Sequence, residues 1–406
     1  MMPVYMDHHA TTPVHPEVLE AMLPFFSERF GNPSSVTHAF GRRAAEEVER
    51  AREIVAEGIG ARARDLLFTS GATESNNLAL RGVVAAARER TGSPHLVTSA
   101  VEHKSILDTA VDLERAGVAV TTLSVDAGGR VDPDAVRAAL RPNTCLVSIQ
   151  LANSEVGTIQ PIEEIGRVCA DAGVPLHTDA AQAVGRVPVD ITALGAQMLS
   201  LSGHKFYGPV GIAALYCARR VRMRAQMTGG GHERNRRSGT LNVPAIVGLA
   251  KAVEISRRDL DVEAERLRGL RDLLWERIRG RIPRVTRNGD PTRGLPNNLN
   301  VTFHHVEGEA LLMAVKRYAL SSGSACTSGE AGGSYVIRAL GAGDDAAHSS
   351  IRFGLGRGNT AEQVDALVED LAAAVEKLRA ISSVGEADPS EAEHPRDGNP
   401  TDHAPV

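Results

Sequence analysis

Four short stretches carry side chains whose types and spacing could do chemistry. In SLSGHKFYGPVG (200–211), Lys205 follows an apolar run and is enclosed by Ser202, Gly203 and His204, then by Gly208, Pro209 and Gly211. A lysine held in a tight turn, with its pKa lowered by its surroundings, can form a Schiff base with an aldehyde. The alternative is an ordinary surface lysine. In LHTDAAQAVG (176–185), an apolar run ends at Asp179, with Gln182 three residues on. An aspartate at the carboxyl end of a strand faces the ligand crevice of an α/β sheet, although the same residue type caps helices. In FTSGATESNNLAL (68–80), the small residues Ser70-Gly71-Ala72-Thr73 lead into a helical pattern. The N–H groups of such a helix start can cradle a phosphate, and Thr73 adds a hydroxyl. The stretch is neither a Walker loop nor GxGxxG, and a plain N-cap is the other reading. Lastly, SSGSACTSGEAGGS (321–334) sets Cys326 among small, turn-forming residues rather than in the apolar surroundings of most buried cysteines.

Together the first three stretches match what pyridoxal 5'-phosphate requires. A carboxylate keeps the ring nitrogen protonated and the ring an electron sink. A lysine holds the aldehyde, and a cup of N–H and hydroxyl groups holds the phosphate.

The elements that must position these residues are legible. From 66 to 216, short β-type runs alternate with helical patterns: LLFT (66–69), HLVTS (95–99), VAVTTLSV (118–125), CLVSIQL (145–151), VPLHTD (174–179), QMLSLS (197–202) and GIAALYC (211–217). That alternation predicts an α/β fold, an open and mostly parallel seven-stranded sheet with helices on both faces. A long helical pattern over 245–280 bridges to a smaller α+β unit. The expected division is a large domain over 15–255 and a small one from 1–14 and 256–383. The stretch 384–406 is acidic, proline-bearing and poor in large apolar residues, the composition of a disordered tail.

The 406 residues have a formal net charge of -5, which gives no sign of direct nucleic-acid binding. No run reaches membrane-spanning length, and MMPVYMDHHATTP lacks the pattern of a signal peptide. The four cysteines form no CxxC pair, so a reducing, cytoplasmic setting is expected. Cys145, Cys169 and Cys217 lie in apolar strand or helix patterns and read as core; no metal-type spacing joins them to the histidines.

The chain resembles the cysteine desulfurases of the aminotransferase class V family, in the group with the long SSGSACTS loop. The stretches that carry the resemblance are YMDHHATTPVHP, FGNPSSVTHAFGR, FTSGATESNN, EHKSILDT, NSEVGTIQPI, HTDAAQAVG, SGHKFYGPVG, GGGHERNRRSGT, SSGSACTS and SSIRFGLGR, in that order between Val4 and Ile381. The resemblance implies the fold type I of pyridoxal-phosphate transferases and a cofactor held covalently by Lys205. Asp179 would meet the ring nitrogen and Gln182 the ring hydroxyl. Thr73 with Ala72, Ser202 and His204 would hold the phosphate, which Thr240 would reach from the other subunit of a homodimer. His103 would stack on the ring and shuttle protons, Asn153 would lie near the ring hydroxyl and substrate, and Arg352 would clamp the substrate carboxylate. Cys326 would take sulfur from L-cysteine as a persulfide, releasing L-alanine, and pass it to an acceptor protein, an iron–sulfur scaffold or a sulfur carrier. Selenocysteine lyase, another class V activity, and a non-catalytic scaffold of the same fold are the competing readings. Bland alternatives stand beside these roles: a structural ion pair for Arg352, a turn for Asn153, a cap for Thr240, a helix start for His103. The chain departs from the family where Ser154 replaces a second asparagine, where GEAGGS replaces a Leu-Glu-Pro run, and in lacking the usual C-terminal segment.

Overall fold

The computed structural model describes residues 2–323 and 333–381; Cys326 and the 384–406 tail lie outside the described residues. Twelve strands are found among the described residues: β1 Val4–Tyr5, β2 Leu66–Thr69, β3 His95–Ser99, β4 Ala119–Leu123, β5 Thr144–Ser148, β6 Leu176–Asp179, β7 Met198–Ser202, β8 Ala213–Cys217, β9 Val285–Asn288, β10 Asn298–Phe303, β11 Tyr318–Ala319 and β12 Ser350–Gly354. Seven form the main sheet in the order β2-β8-β7-β6-β5-β3-β4. Only β8 runs against its neighbours; the other pairs are parallel. Parallel pairs need crossover helices, which cover both faces. That is why the inner strands β5, β6 and β7 are buried at every residue while edge strand β4 is half exposed.

The apolar runs read from the sequence coincide with all seven of these strands. Others escaped. β9 is four residues with one fully buried position, and β1 pairs with β11 over two residues only. Segments that short show no alternation. The stretch EGEALLMAVKRYAL (307–320), which reads as one helix, also breaks early: the helix ends at Ala314, and the chain turns into β11.

A second core lies around the antiparallel sheet β12-β10-β9. The 39-residue helix Val243–Arg281 serves both cores: Val243, Ile246, Leu249 and Val253 pack under the main sheet, and Leu267, Leu274 and Ile278 pack with Val301, Phe353 and Leu371. Met6 joins the second core from the N-terminal segment. The result brings the carboxyl ends of β6 and β7 next to β12, with residues 7–12 threaded between them.

Candidate active site

Lys205 closes a single 3-10 turn, Gly203–Lys205, directly after β7. The turn is tight: a Cβ at Gly208 would lie 2.8 Å from the Gly203 carbonyl oxygen, so glycine is required there. Thr12 fixes it from outside, its hydroxyl donating to the His204 carbonyl at 2.9 Å and accepting from the Tyr207 N–H at 2.7 Å. The Lys205 Nζ donates to the carbonyls of His9 and Ala10 at 2.6 and 2.9 Å.

Asp179 ends β6 and is buried. Its Oδ1 accepts from the Ala181 N–H at 2.9 Å and its Oδ2 from the Asn76 amide at 2.7 Å. The same Asn76 nitrogen donates to the Ser105 hydroxyl at 2.8 Å, and that hydroxyl lies 2.8 Å from His103 Nδ1. His103 caps the helix Lys104–Arg115: its Nδ1 accepts from the Ser105 N–H at 3.1 Å. That bond leaves the ring's other nitrogen, Nε2, as the one that carries hydrogen in the neutral form.

The helix Ala72–Thr91 starts at Gly71 with no side chain capping it. Glu74 instead folds back to the Ser70 N–H and hydroxyl at 2.7 and 2.6 Å, and is itself held by Arg237 at 2.7 Å. The open amides of the first turn therefore face the cavity. His204 completes this end, with Nδ1 at 3.0 Å from the Thr11 hydroxyl; burial, and then Lys205 beside it, push its pKa down to about 4, so the ring is neutral.

These groups surround one cavity of about 250 Å³. Ser70, Gly71, Ala72, Thr73, Ser202 and His204 line one end, Asp179, Gln182, His103 and Lys205 the middle, and Arg352 with Ser154 and His9 the other end. Arg352 is 1% exposed; its Nη2 donates to Asp7 at 2.7 Å and its Nη1 to the Ser154 carbonyl at 3.0 Å.

Asn153 does not line the cavity. Its amide donates to the Val101 carbonyl at 2.9 Å, and its Oδ1 accepts from the N–H groups of Glu155 and Val156 at 2.8 and 2.9 Å. Those bonds use the side chain to shape the turn, and they put Ser154 on the cavity wall in its place. Thr240 is exposed and outside this chain's own cavity. The segment that carries it is locked from below: Glu233, Arg234 and Asn235 all have positive φ, which costs non-glycine residues energy. Glu233 offsets this with a buried bidentate pair to Arg52, at 2.7 Å on both arms, and a bond from the Phe68 N–H at 2.7 Å.

Three contributors were not singled out in the sequence. Residues 7–12 touch Arg352, Gln182, Lys205 and His204 in turn. Asn76 joins Asp179 to Ser105. Glu102, next to His103, is fully buried, and desolvation raises its pKa to about 8, so it is protonated at neutral pH. The stretches YMDHHATTP, SNN and EHK held these residues, but nothing in their spacing tells a turn from a site.

Residues 4–367 match the sequence profile of the family described as aminotransferase class-V. The chain belongs to that family. It is 53% identical over 387 residues to the cysteine desulfurase IscS of Anaeromyxobacter dehalogenans (strain 2CP-C), covering 95% of each chain. It is 48% identical over 388 residues to the human cysteine desulfurase, covering 95% of this chain and 84% of the human one. Among solved structures, a NifS-like protein superposes with a TM-score of 0.86 at 35% identity, over 93% of this chain and 100% of that one. SspA in complex with cysteine superposes with a TM-score of 0.78 at 38% identity, over 87% of this chain and 98% of that one. Members of the family depend on pyridoxal phosphate. The cavity's donor set fits that cofactor: an open helix start for a phosphate, a buried aspartate for a ring N–H, and a lysine amine in the same lining.

Proposed function

We propose that this protein is a cysteine desulfurase that takes sulfur from L-cysteine, releases L-alanine and carries the sulfur as a persulfide on Cys326. The observation that carries this reading is the convergence of Lys205, Asp179 and the uncapped helix start on one cavity that ends in a buried arginine, in a chain of this family. Bound there, pyridoxal phosphate supplies an electron sink for the carbon skeleton of the amino acid.

The chain's own residues do the rest. Ser70 to Thr73, with Ser202 and His204, hold the phosphate, and the neutrality of His204 makes it a hydrogen-bond partner rather than a fixed charge. Asp179 holds a proton on the ring nitrogen. Lys205 holds the cofactor and, once released by substrate, moves the α-proton; the carbonyls of His9 and Ala10 keep its amine at a defined point. Arg352 orients the substrate by its carboxylate. His103 offers a ring N–H over the same space. In the sulfur step the Cys326 thiolate forms an S–S bond as the substrate's C–S bond breaks. The bonding pair stays with carbon, which takes up the proton that the thiol gave up, so that L-cysteine and a thiol become L-alanine and a persulfide.

The protein acts as a homodimer in this reading. Leu19, Leu23, Phe26, Phe30 and Phe40 are exposed on and between the N-terminal helices, with the Phe30 and Phe40 rings 5.1 Å apart, an apolar patch that a second copy would cover. The final acceptor is an iron–sulfur scaffold or a sulfur-carrier protein. Incubation with L-cysteine tests the reading: alanine and a persulfide form in equal amounts in the first turnover, and Cys326→Ala forms neither while still binding the cofactor.

A further inference from the structure

Two buried polar atoms in the cavity wall lack partners and match each other. Arg352 Nε is a donor and His9 Nε2 a ring nitrogen; neither has a hydrogen bond among the described residues. Both side chains are 1% exposed and belong to residues that line the cavity. The surroundings fix the tautomer of His9. The Gln182 amide nitrogen donates to the His9 carbonyl at 3.0 Å, which turns its oxygen toward His9 Nδ1, 2.8 Å away. A carbonyl oxygen only accepts, so Nδ1 carries the hydrogen. Burial, and then Arg352, keep the His9 pKa well below its ordinary value, so Nε2 presents a lone pair.

The backbone holds this ring against the strand of the arginine. A Cβ on Gly354, two residues along β12 from Arg352, would lie 2.9 Å from His9 Cδ2, the carbon bonded to Nε2. The guanidinium is meanwhile held by Asp7 on Nη2 and the Ser154 carbonyl on Nη1. A buried charged donor and a buried acceptor are thereby left without partners in the wall of one cavity.

We propose that His9 is a positioning residue that couples the two halves of the site: Nδ1–H holds Gln182 on the cofactor side, and Nε2 accepts from Arg352 Nε–H when an amino-acid carboxylate engages the guanidinium. This rests on the reading of Arg352 as the carboxylate clamp.

Calorimetric binding of L-alanine and of L-alaninamide to the cofactor-loaded protein tests both statements separately. Arg352→Gln erases the preference for L-alanine; a variant that kept the preference would overturn the clamp and the coupling with it. His9→Phe keeps the ring shape but neither nitrogen. It weakens L-alanine binding about 10-fold and leaves L-alaninamide unchanged, and its KM for L-cysteine rises by more than kcat falls. His9→Gln, whose one amide both donates and accepts, restores L-alanine binding. With the clamp intact, equal weakening of both ligands in His9→Phe, no weakening, or no rescue by His9→Gln would overturn the coupling. The wild-type protein gives a reading without substitution. With 15N-labelled histidine, the His9 Nε2 resonance shifts on adding L-alanine and stays in place on adding L-alaninamide; a resonance unmoved by both would also overturn it.

Discussion

At one end of the cavity, Asp179 closes β6, Ser202 closes β7, and Lys205 follows within a single turn, while the helix that opens toward them starts two residues after β2. Each of these residues is placed by the strand it ends or follows. At the other end, Arg352 comes from the smaller sheet, and its partners Asp7 and Ser154 lie 345 and 198 residues away in the chain. The first end is set by the strand ends of one sheet, with the threaded segment holding the Lys205 turn from outside, whereas the second end also needs a residue from the smaller sheet. In the proposed reading, the covalent hold on the cofactor falls to the end built on strand ends, and recognition of the amino acid to the end that also draws on the smaller sheet.

Substitutions at the two ends should therefore fail differently. Lys205→Ala, at the end built on strand ends, lowers turnover by about 10³-fold or more, and borohydride no longer fixes the cofactor to the chain. The loss comes in kcat, with thermal stability near that of the parent. Arg352→Gln, at the end that draws on the smaller sheet, raises KM for L-cysteine by about 30–100-fold with a smaller change in kcat. A kcat effect of the same size there would collapse the distinction between the ends. Asn76→Ala removes the amide that ties Asp179 to Ser105 and gives about a 10-fold loss in kcat with cofactor affinity little changed; steady-state kinetics and cofactor titration separate the two.

The smallest effect concerns what the ends share, neutral buried groups. His8, His177 and His204 are held by burial at a pKa of about 4, against an ordinary 6.5. The unfolded chain binds more protons than the fold between those values, so stability is lost as pH falls from 6.5 toward 4. Glu102 has the opposite sign. Its pKa of about 8 against an ordinary 4.5 means that the fold keeps a proton the unfolded chain releases, which weakens stability as pH rises through that window. With His9 and His95 lowered in the same way, several histidines stand against the one glutamate, which predicts a urea midpoint that is highest near pH 6.5, falls steeply on the acid side and falls gently toward pH 8.

The same contrast explains what could be read from the sequence. All seven strands of the large sheet stood out because apolar runs bounded by turn residues are local signals. Lys205, Asp179 and Thr73 stood out with them, being strand ends and helix starts, whereas Ser202 and His204 took their roles from the family resemblance. His9, Asp7 and Asn76 did not, since their roles depend on which distant segment they meet. Ser154 is the sharpest case. Either residue of the Asn153-Ser154 pair could have faced the site, and only the turn's hydrogen bonds, which use up the Asn153 amide, decide it. The cysteines divide in the same way. Burial pushes Cys145 and Cys217 up to about 11 and Cys169 up to about 12, so these three are core thiols with no thiolate at neutral pH. In the proposed reading, the sulfur step belongs to Cys326.

The most direct test of the account is mass spectrometry of the tryptic peptide containing Cys326 after one turnover with L-cysteine, under alkylating conditions that preserve persulfides. The account predicts one added sulfur atom on that peptide, none on the peptides of Cys145, Cys169 and Cys217, and one equivalent of L-alanine. Alanine released by Cys326→Ala at the parent rate, or the added sulfur found on one of the other three cysteines, would contradict it.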